Sequence, residues 1–377
     1  MNKYILCLLV GMTLIVSGCS RENSSDPQSG GTQFSPAQEE ANKESGTSEN
    51  VKPEEEVLSA HRDIFAMDTY MTIQCYGDQC EEAADAAVRE IERLDALLSV
   101  SNPESEINKL NGSGSAVLSD DSAAMVEEAL AIYEGTGGAF DITVYPLMVL
   151  WGFTGGNPAV PDEEALRETL SKVGSDKLRF ETAEKSLALA AGQGIDLGGI
   201  AKGYTSDRLM EIFAKYHLRS AMVSLGGNVQ LYQTKPDGSL WRCGIRDPFA
   251  GQDSNALLGV LSAKDCAVIT SGAYERYFTD ENGTVYHHIL DPKNGYPAQS
   301  GISSATIVSK NGMLADALST ACFVSGLDGA VQYWQTRSGD FDMILVTDEK
   351  EVYITRPLQE NFSTEYPVHV IDEGGIQ

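Results

Sequence analysis

The sequence predicts an α+β fold, on three observations. Several stretches place apolar residues at helical spacing, several short runs are rich in β-branched and aromatic residues, and the two kinds mix without the regular strand–helix–strand rhythm of a doubly wound sheet. The chain has 377 residues, 42% of them apolar, enough for one large domain or two intertwined ones. It contains no visible internal repeat.

The first element is a targeting segment. In MNKYILCLLVGMTLIVSGCS, Lys3 supplies a positive start, Tyr4 to Val16 an apolar core too short to span a bilayer comfortably, and Val16-Ser17-Gly18-Cys19 resembles a bacterial lipobox. Residues 1–18 therefore read as a lipoprotein signal peptide and Cys19 as a lipidated N-terminus, holding the chain at the extracytoplasmic face of a bacterial membrane. An uncleaved anchor would lead to the same place. Residues 19–56, built mostly of Ser, Glu, Gly, Asn, Gln and Pro, have little to bury and read as a disordered acidic tether. Residues 57–377 are the folded part.

Residues 64–76 are rich in β-formers and predict a strand. Over 81–100, Ala84, Val88, Ile91, Leu94 and Leu98 share one helical stripe, and 122–134 predict a second helix with SDDS at its start and glycines past its end. A hairpin over 177–190 is followed by a short strand running into GIDLGGIAKGY. Ile200, Tyr204, Leu209, Ile212, Phe213 and Tyr216 then recur at helical spacing. Strands are predicted at 221–225, 228–232, 257–261 and 305–308, a helix at 313–324, and a final hairpin at 343–354.

Charge and cysteines exclude some functions. With 27 basic against 55 acidic residues, the net charge of -28 argues against binding nucleic acid through a basic surface. Past Cys7 and Cys19, five thiols remain at 75, 80, 243, 266 and 322. They cannot all pair, so this is no disulfide scaffold; Cys75 and Cys80 could close a small loop, and an unpaired thiol is the plainer expectation at each position.

The glycine-rich GIDLGGIAKGYTSD opens a predicted helix, where free N–H groups and a dipole end favour an anion, with Lys202 adding charge one turn in. It is no P-loop, since Gly203 and Tyr204 follow the lysine, and no dinucleotide fingerprint is completed downstream. A phosphate cradle and a tight packing turn capped by Asp196 both fit. In NGMLADALSTACFVSG, Asp316 and Thr320 stand four apart on one helical face while Leu314, Leu318 and Cys322 turn inward. That pair suits a hard cation such as Mg²⁺, and taken alone serves capping equally well. VYHHILDP offers His287 and His288, which a strand points to opposite faces, so at most one can serve as a general base or phosphate contact. GGAFDITVYPLMVLWGF joins a glycine turn to an aromatic run with one acid, Asp141, suited to a flat ring or to core packing. SLGGNV and TSGAYERYF are small-residue bends with no decisive chemistry, and no GxSxG nucleophile is present.

Taken in order, AMDTY, SEINKLN, GGAFDITVYPLMVLWGF, IDLGGIAKGYTSD, VSLGGN, RDP, TSGAYERYF, HHILDPKNGYP and ADALSTA resemble the ApbE family, the FAD:protein FMN transferases, from about residue 65 to 347. The resemblance implies an ApbE-like, T-fold-like arrangement of mixed sheets and packed helices, with the FAD site in a cleft between two lobes. It implies Mg²⁺-dependent transfer of FMN from FAD to a Ser or Thr hydroxyl of a protein, releasing AMP. Met67, Ala139, Phe140, Asp141, Asp196 and Lys202 would contact FAD; the Gly199 carbonyl, Asp316 and Thr320 would hold the metal; His288 would be the catalytic base or a flavin contact. Partners implied are extracytoplasmic FMN-carrying redox proteins, such as subunits of membrane redox pumps. Two departures stand out: Asp68 where the family usually has glycine, and Val100-Ser101 where an aromatic residue often stacks on the cofactor. An FAD pyrophosphatase giving FMN and AMP, and a non-catalytic flavin-binding lipoprotein, are the alternatives.

Overall fold

The computed structural model describes residues 57–250 and 254–376, all within one compact unit, Glu55–Gln377. The predicted signal segment, Cys19 and the tether lie outside the described residues. The fold is α+β, as predicted. Its frame is a ten-stranded sheet of β1 (Ser59–Ala66), β2 (Thr69–Tyr76), β3 (Ser220–Leu225), β4 (Asn228–Tyr232), β5 (Ala267–Gly272), β6 (Ile302–Ser309), β7 (Asp342–Thr347), β8 (Val352–Thr355), β9 (Val368–Asp372) and β10 (Gly375–Ile376). The spatial order is the chain order, each strand beside the next, and every pair is antiparallel except β8 with β9. The long connections are therefore excursions that return to the neighbouring strand.

The largest excursion, from β2 to β3, carries α1 (Cys80–Leu98), α2 (Glu106–Ser113), α3 (Asp120–Gly135), α4 (Tyr145–Leu150), α5 (Glu163–Leu170) and α6 (Ala201–Lys215). The connection from β6 to β7 is α7 (Gly312–Thr336), which bends where Gly326 leaves helical geometry at φ 72°. Period-two alternation divides the strands between two cores. Ala267, Ile269, Met343 and Leu345 face α7, whereas Val268, Ile344 and Val346 face a separate layer built on the hairpin Trp241–Arg246 and Leu257–Ala263. Burial on both faces explains why MILV reads as a continuous apolar run. Burying one large side chain such as Leu318, fully enclosed on α7, stabilises by about 1.5–3 kcal/mol.

Several predicted elements change. Residues 64–76 are not one strand but the end of β1, from Ile64 to Ala66, and all of β2, reversed at Met67 and Asp68, whose φ values of 48° and 58° make a tight two-residue turn. The predicted hairpin forms as strands Arg179–Glu181 and Ser186–Ala188, but no further strand runs from it into Asp196. The last hairpin does not close the chain, since strand Phe362–Thr364, β9 and β10 follow. The five cysteines are all free and buried, so Cys75 and Cys80 do not close a loop.

Candidate active site

The N-terminal part of α6 and the first turns of α7 cross backbone against backbone. A Cβ on Gly203 would stand 2.1 Å from the Gly312 carbonyl oxygen and 2.6 Å from Asp316 Cβ, so no side chain fits there. Asp207 of α6 fastens the crossing by accepting from the Gly312 and Met313 amides at 2.8 and 2.9 Å, while Asn311 caps α7 through the Leu314 amide. This closeness brings α6 onto Asp316.

Asp316 is 5% exposed, and each carboxylate oxygen accepts one hydrogen bond at 2.9 Å: Oδ2 from the Gly203 amide and Oδ1 from Asn228 Nδ2. Among the described residues no Lys, Arg or His forms an ion pair with it, so neutral donors alone face a buried carboxylate. The Gly203 N–H would, in a longer helix, bond the Gly199 carbonyl four residues back; given instead to Asp316, it leaves that carbonyl without its amide. Gly199 lies beside the other partner, since a Cβ on it would be 3.9 Å from Thr320 Oγ1 and 3.1 Å from Phe140 Cε2. Carboxylate, hydroxyl and carbonyl oxygens are the donor set of a hard cation, and the residues present fit Mg²⁺. No group of three or more His, Cys, Asp and Glu in metal-binding proximity exists among the described residues.

Around this point stand Asp196, Lys202, Glu275, Arg276 and His288, each within electrostatic reach of one or more of the others. Glu275 is exposed, yet desolvation pushes its carboxyl up to about 7, with Lys202 opposing and Asp316 adding to the rise. Half-buried Asp196 is likewise raised by desolvation, against the Gly198 amide, Arg276 and Lys202. Water reaches these groups although protein surrounds them closely, and that desolvation is the main cause of both shifts.

His288 follows the short strand Val285–His287, and its Nδ1 lies 3.1 Å from the Arg276 carbonyl. A carbonyl only accepts, so Nδ1 carries the proton and Nε2 presents a lone pair. Desolvation, with Arg276 beside it, lowers the imidazole to about 3 and keeps it neutral. His287 points the opposite way: Nε2 meets the Ala298 carbonyl at 3.1 Å and the ring packs edge-on against Phe323. Of the two, His288 is the one beside Arg276 and Lys202, and the strand alternation predicted only that at most one of them would be.

The profile of the ApbE family matches residues 67–345. The chain belongs to the ApbE family. It is similar to the FAD:protein FMN transferase of Treponema pallidum, 33% identical over 75% of this chain and 83% of that protein, and to that of Klebsiella pneumoniae, 31% identical over 75% and 88%. Among solved structures it is similar to the ApbE protein of Thermotoga maritima, with a TM-score of 0.74 and 32% identity over 81% of this chain and 99% of that one. The flavin transferase ApbE of Vibrio cholerae superposes with a TM-score of 0.70 at 25% identity, covering 82% and 97%.

Within this ApbE-family chain the predicted site residues divide. Gly199 and Thr320 lie beside one another, Asp316 is one turn before Thr320, and Asp196, Lys202 and His288 are within electrostatic reach of that cluster or of its neighbours. Ala139 and Phe140 are buried, each 4% exposed, with the Phe140 ring under Gly199. Met67 sits on the β1–β2 turn, its sulfur 3.8 Å from Thr205 Oγ1, whose proton goes to the Ala201 carbonyl at 2.7 Å. Asp141 is occupied elsewhere: Oδ1 accepts from the Thr143 amide, Thr143 Oγ1 and Ser175 Oγ, and Oδ2 from the Ser175 amide. Its carboxylate ties a loop and positions Phe140. Asp68 tolerates its left-handed backbone as Asp commonly does, and its charge reaches Asp196. Sequence reasoning missed Asn228, Ser271 and Glu275, although all three stand in the bends SLGGNV and TSGAYERYF. The signal available was position: the two bends lie at the same end of neighbouring strands inside the sheet.

Proposed function

We propose that this chain transfers the FMN half of FAD to a Ser or Thr hydroxyl of a protein, with Mg²⁺ as cofactor and AMP as the second product. The observation that carries the reading is the buried Asp316 carboxylate, faced by neutral donors and flanked by the Thr320 hydroxyl and a released Gly199 carbonyl. These three would hold the ion, and the chemistry Mg²⁺ supplies when bound is neutralisation of pyrophosphate and leaving-group charge. Lys202, half-buried in the first turn of α6 and within electrostatic reach of Asp196, Glu275 and His288, would add positive charge beside the same anion. His288 accepts the proton of the attacking hydroxyl at Nε2, as a neutral imidazole with Nδ1 held by a carbonyl can. The hydroxyl oxygen bonds the phosphorus next to riboflavin, the bridging P–O bond breaks, and AMP departs with the bridging oxygen. The lipobox and Cys19 support an enzyme working outside the cytoplasm on redox proteins held at the same membrane.

Incubation of residues 57–377 with FAD, Mg²⁺ and an extracytoplasmic flavoprotein acceptor is expected to add one FMN mass to the acceptor, with flavin fluorescence surviving denaturing electrophoresis. Asp316→Ala abolishes the transfer. Release of free FMN with the acceptor unmodified favours a pyrophosphatase, bound FAD without turnover favours a carrier, and full activity in the Asp316 variant sinks the metal assignment.

A further inference from the structure

Ser271 ends β5 beside α7, and its hydroxyl lies 2.7 Å from Ser319 Oγ and 3.3 Å from Thr320 Oγ1. Ser319, wholly buried, is also 2.7 Å from the backbone carbonyl of Asp316. That carbonyl can only accept, so the Ser319 proton is spent on it. The contact between the two serines must then be donated by Ser271. With its single proton given to Ser319, Ser271 can only accept from Thr320. The three hydroxyls therefore form a one-way chain, Thr320 O–H to Ser271 O–H to Ser319 O–H to the Asp316 carbonyl, fixed at its far end by a group with no proton to give.

Resting on the cation reading of Asp316 and Thr320 above, we propose that Ser271 and Ser319 are positioning residues that hold the Thr320 proton away from the metal. Thr320 Oγ1 then turns its lone pairs toward the side where Asp316 and the Gly199 carbonyl stand. A hydroxyl free to rotate would spend part of its time presenting its proton to the cation, and one accepting a bond from Ser271 would give up a lone pair. The chain removes both alternatives before the ion arrives. It also ties the Thr320 hydroxyl to the helix backbone at Asp316, so that two ligand positions on adjacent turns of α7 are held by one network. Outer partners that orient metal ligands in this way contribute about 10–100-fold to metal affinity.

The test is Mn²⁺ binding to the protein without FAD, followed by electron paramagnetic resonance, which reads affinity independently of turnover. Ser271→Ala and Ser319→Ala are each expected to weaken Mn²⁺ about tenfold, and Ser271→Thr, which keeps the hydroxyl, to restore it. A thermal melt accompanies each variant; weaker binding with an unchanged melt assigns the effect to the ligand and not to folding. If both alanine variants bind Mn²⁺ as the wild type does, or Ser271→Thr is as weak as Ser271→Ala, the positioning role is overturned. Asp316→Ala separates the two levels. If it loses Mn²⁺ while the serine variants keep it, the cation reading stands and the hydroxyl chain fails. If it binds Mn²⁺ normally, or the wild type binds none, the cation reading fails and the inference fails with it.

Discussion

His288 and Glu275 are both shifted by desolvation, with opposite consequences for pH. For His288 the folded value of about 3 lies below the ordinary 6.5, so the neutral form is favoured by folding. The stability this carries is fully present above 6.5 and is lost as pH falls toward 3, because the unfolded chain takes up a proton that the folded one refuses. His288→Asn, which cannot protonate, is expected to raise the urea midpoint relative to wild type at pH 4.5 and to leave it nearly unchanged at pH 7.5. His287, lowered in the same direction, is present in both proteins and cancels. Glu275 runs the other way: raised from 4.5 to about 7, it favours folding fully below 4.5 and loses that contribution as pH rises through 7. Glu275→Gln is therefore expected to raise the melting temperature at pH 8 and not at pH 4.5. A midpoint difference independent of pH would contradict either assignment. The same lowering keeps the Nε2 lone pair of His288 unprotonated near neutral pH and makes it a weaker base than an ordinary imidazole.

At the scale of elements, the α6–α7 crossing does most to place the site, and it depends on the absence of a side chain at both Gly203 and Gly312. Gly203→Ala would set a methyl into the Gly312 carbonyl and Asp316 Cβ, forcing the helices apart and pulling the Gly203 amide from Asp316. Overpacking of this kind costs about 1–3 kcal/mol. The expected result is a lower unfolding free energy together with loss of Mn²⁺ binding; a variant that melts lower but binds Mn²⁺ normally would show that the crossing does not set the carboxylate. The same crossing shows what was legible in the sequence and why. Asp316 and Thr320 on one face of a helix, with Leu314 and Leu318 inward, follow from a period of 3.6, and His287 against His288 follows from a period of two. Local residues could not say that Gly203 meets Gly312, because that contact joins positions over a hundred residues apart. Nor could they say that SLGGNV and TSGAYERYF end neighbouring strands, which is what delivers Asn228 and Ser271 to α7. The β1–β2 turn was hidden for a different reason: Met67-Asp68 lacks the glycine or asparagine that marks a two-residue turn, although its backbone is left-handed at both positions. Short α2 and α5, eight residues each, offer too few turns for periodicity to stand out from loop sequence.

For the whole molecule, the sheet's sequential order bears on how the folded part relates to its N-terminal segment. Each strand of the sheet pairs with the next in chain order, and the buried apolar residues of the described unit lie between Ala60 and Ile371. If residues 19–56 are a tether and Cys19 its lipid anchor, folding and catalysis belong to one part of the chain and location to the other. A protein beginning at residue 57 is then expected to melt in a single cooperative transition and to flavinylate an acceptor in solution at the rate of the full chain in detergent. Expressed with its own N-terminus in a bacterial host, the full chain is expected to fractionate with membranes, and Cys19→Ala to lose the lipid and the processed N-terminus together. Confinement near a membrane raises the effective concentration of an acceptor held at that membrane, so the tethered enzyme should outpace the truncated one only when both partners share a vesicle. Equal rates with the acceptor anchored and with it free in solution would mean that the tether does not set encounter with the acceptor, while a truncated protein that fails to fold would mean that the N-terminal segment is part of the fold after all.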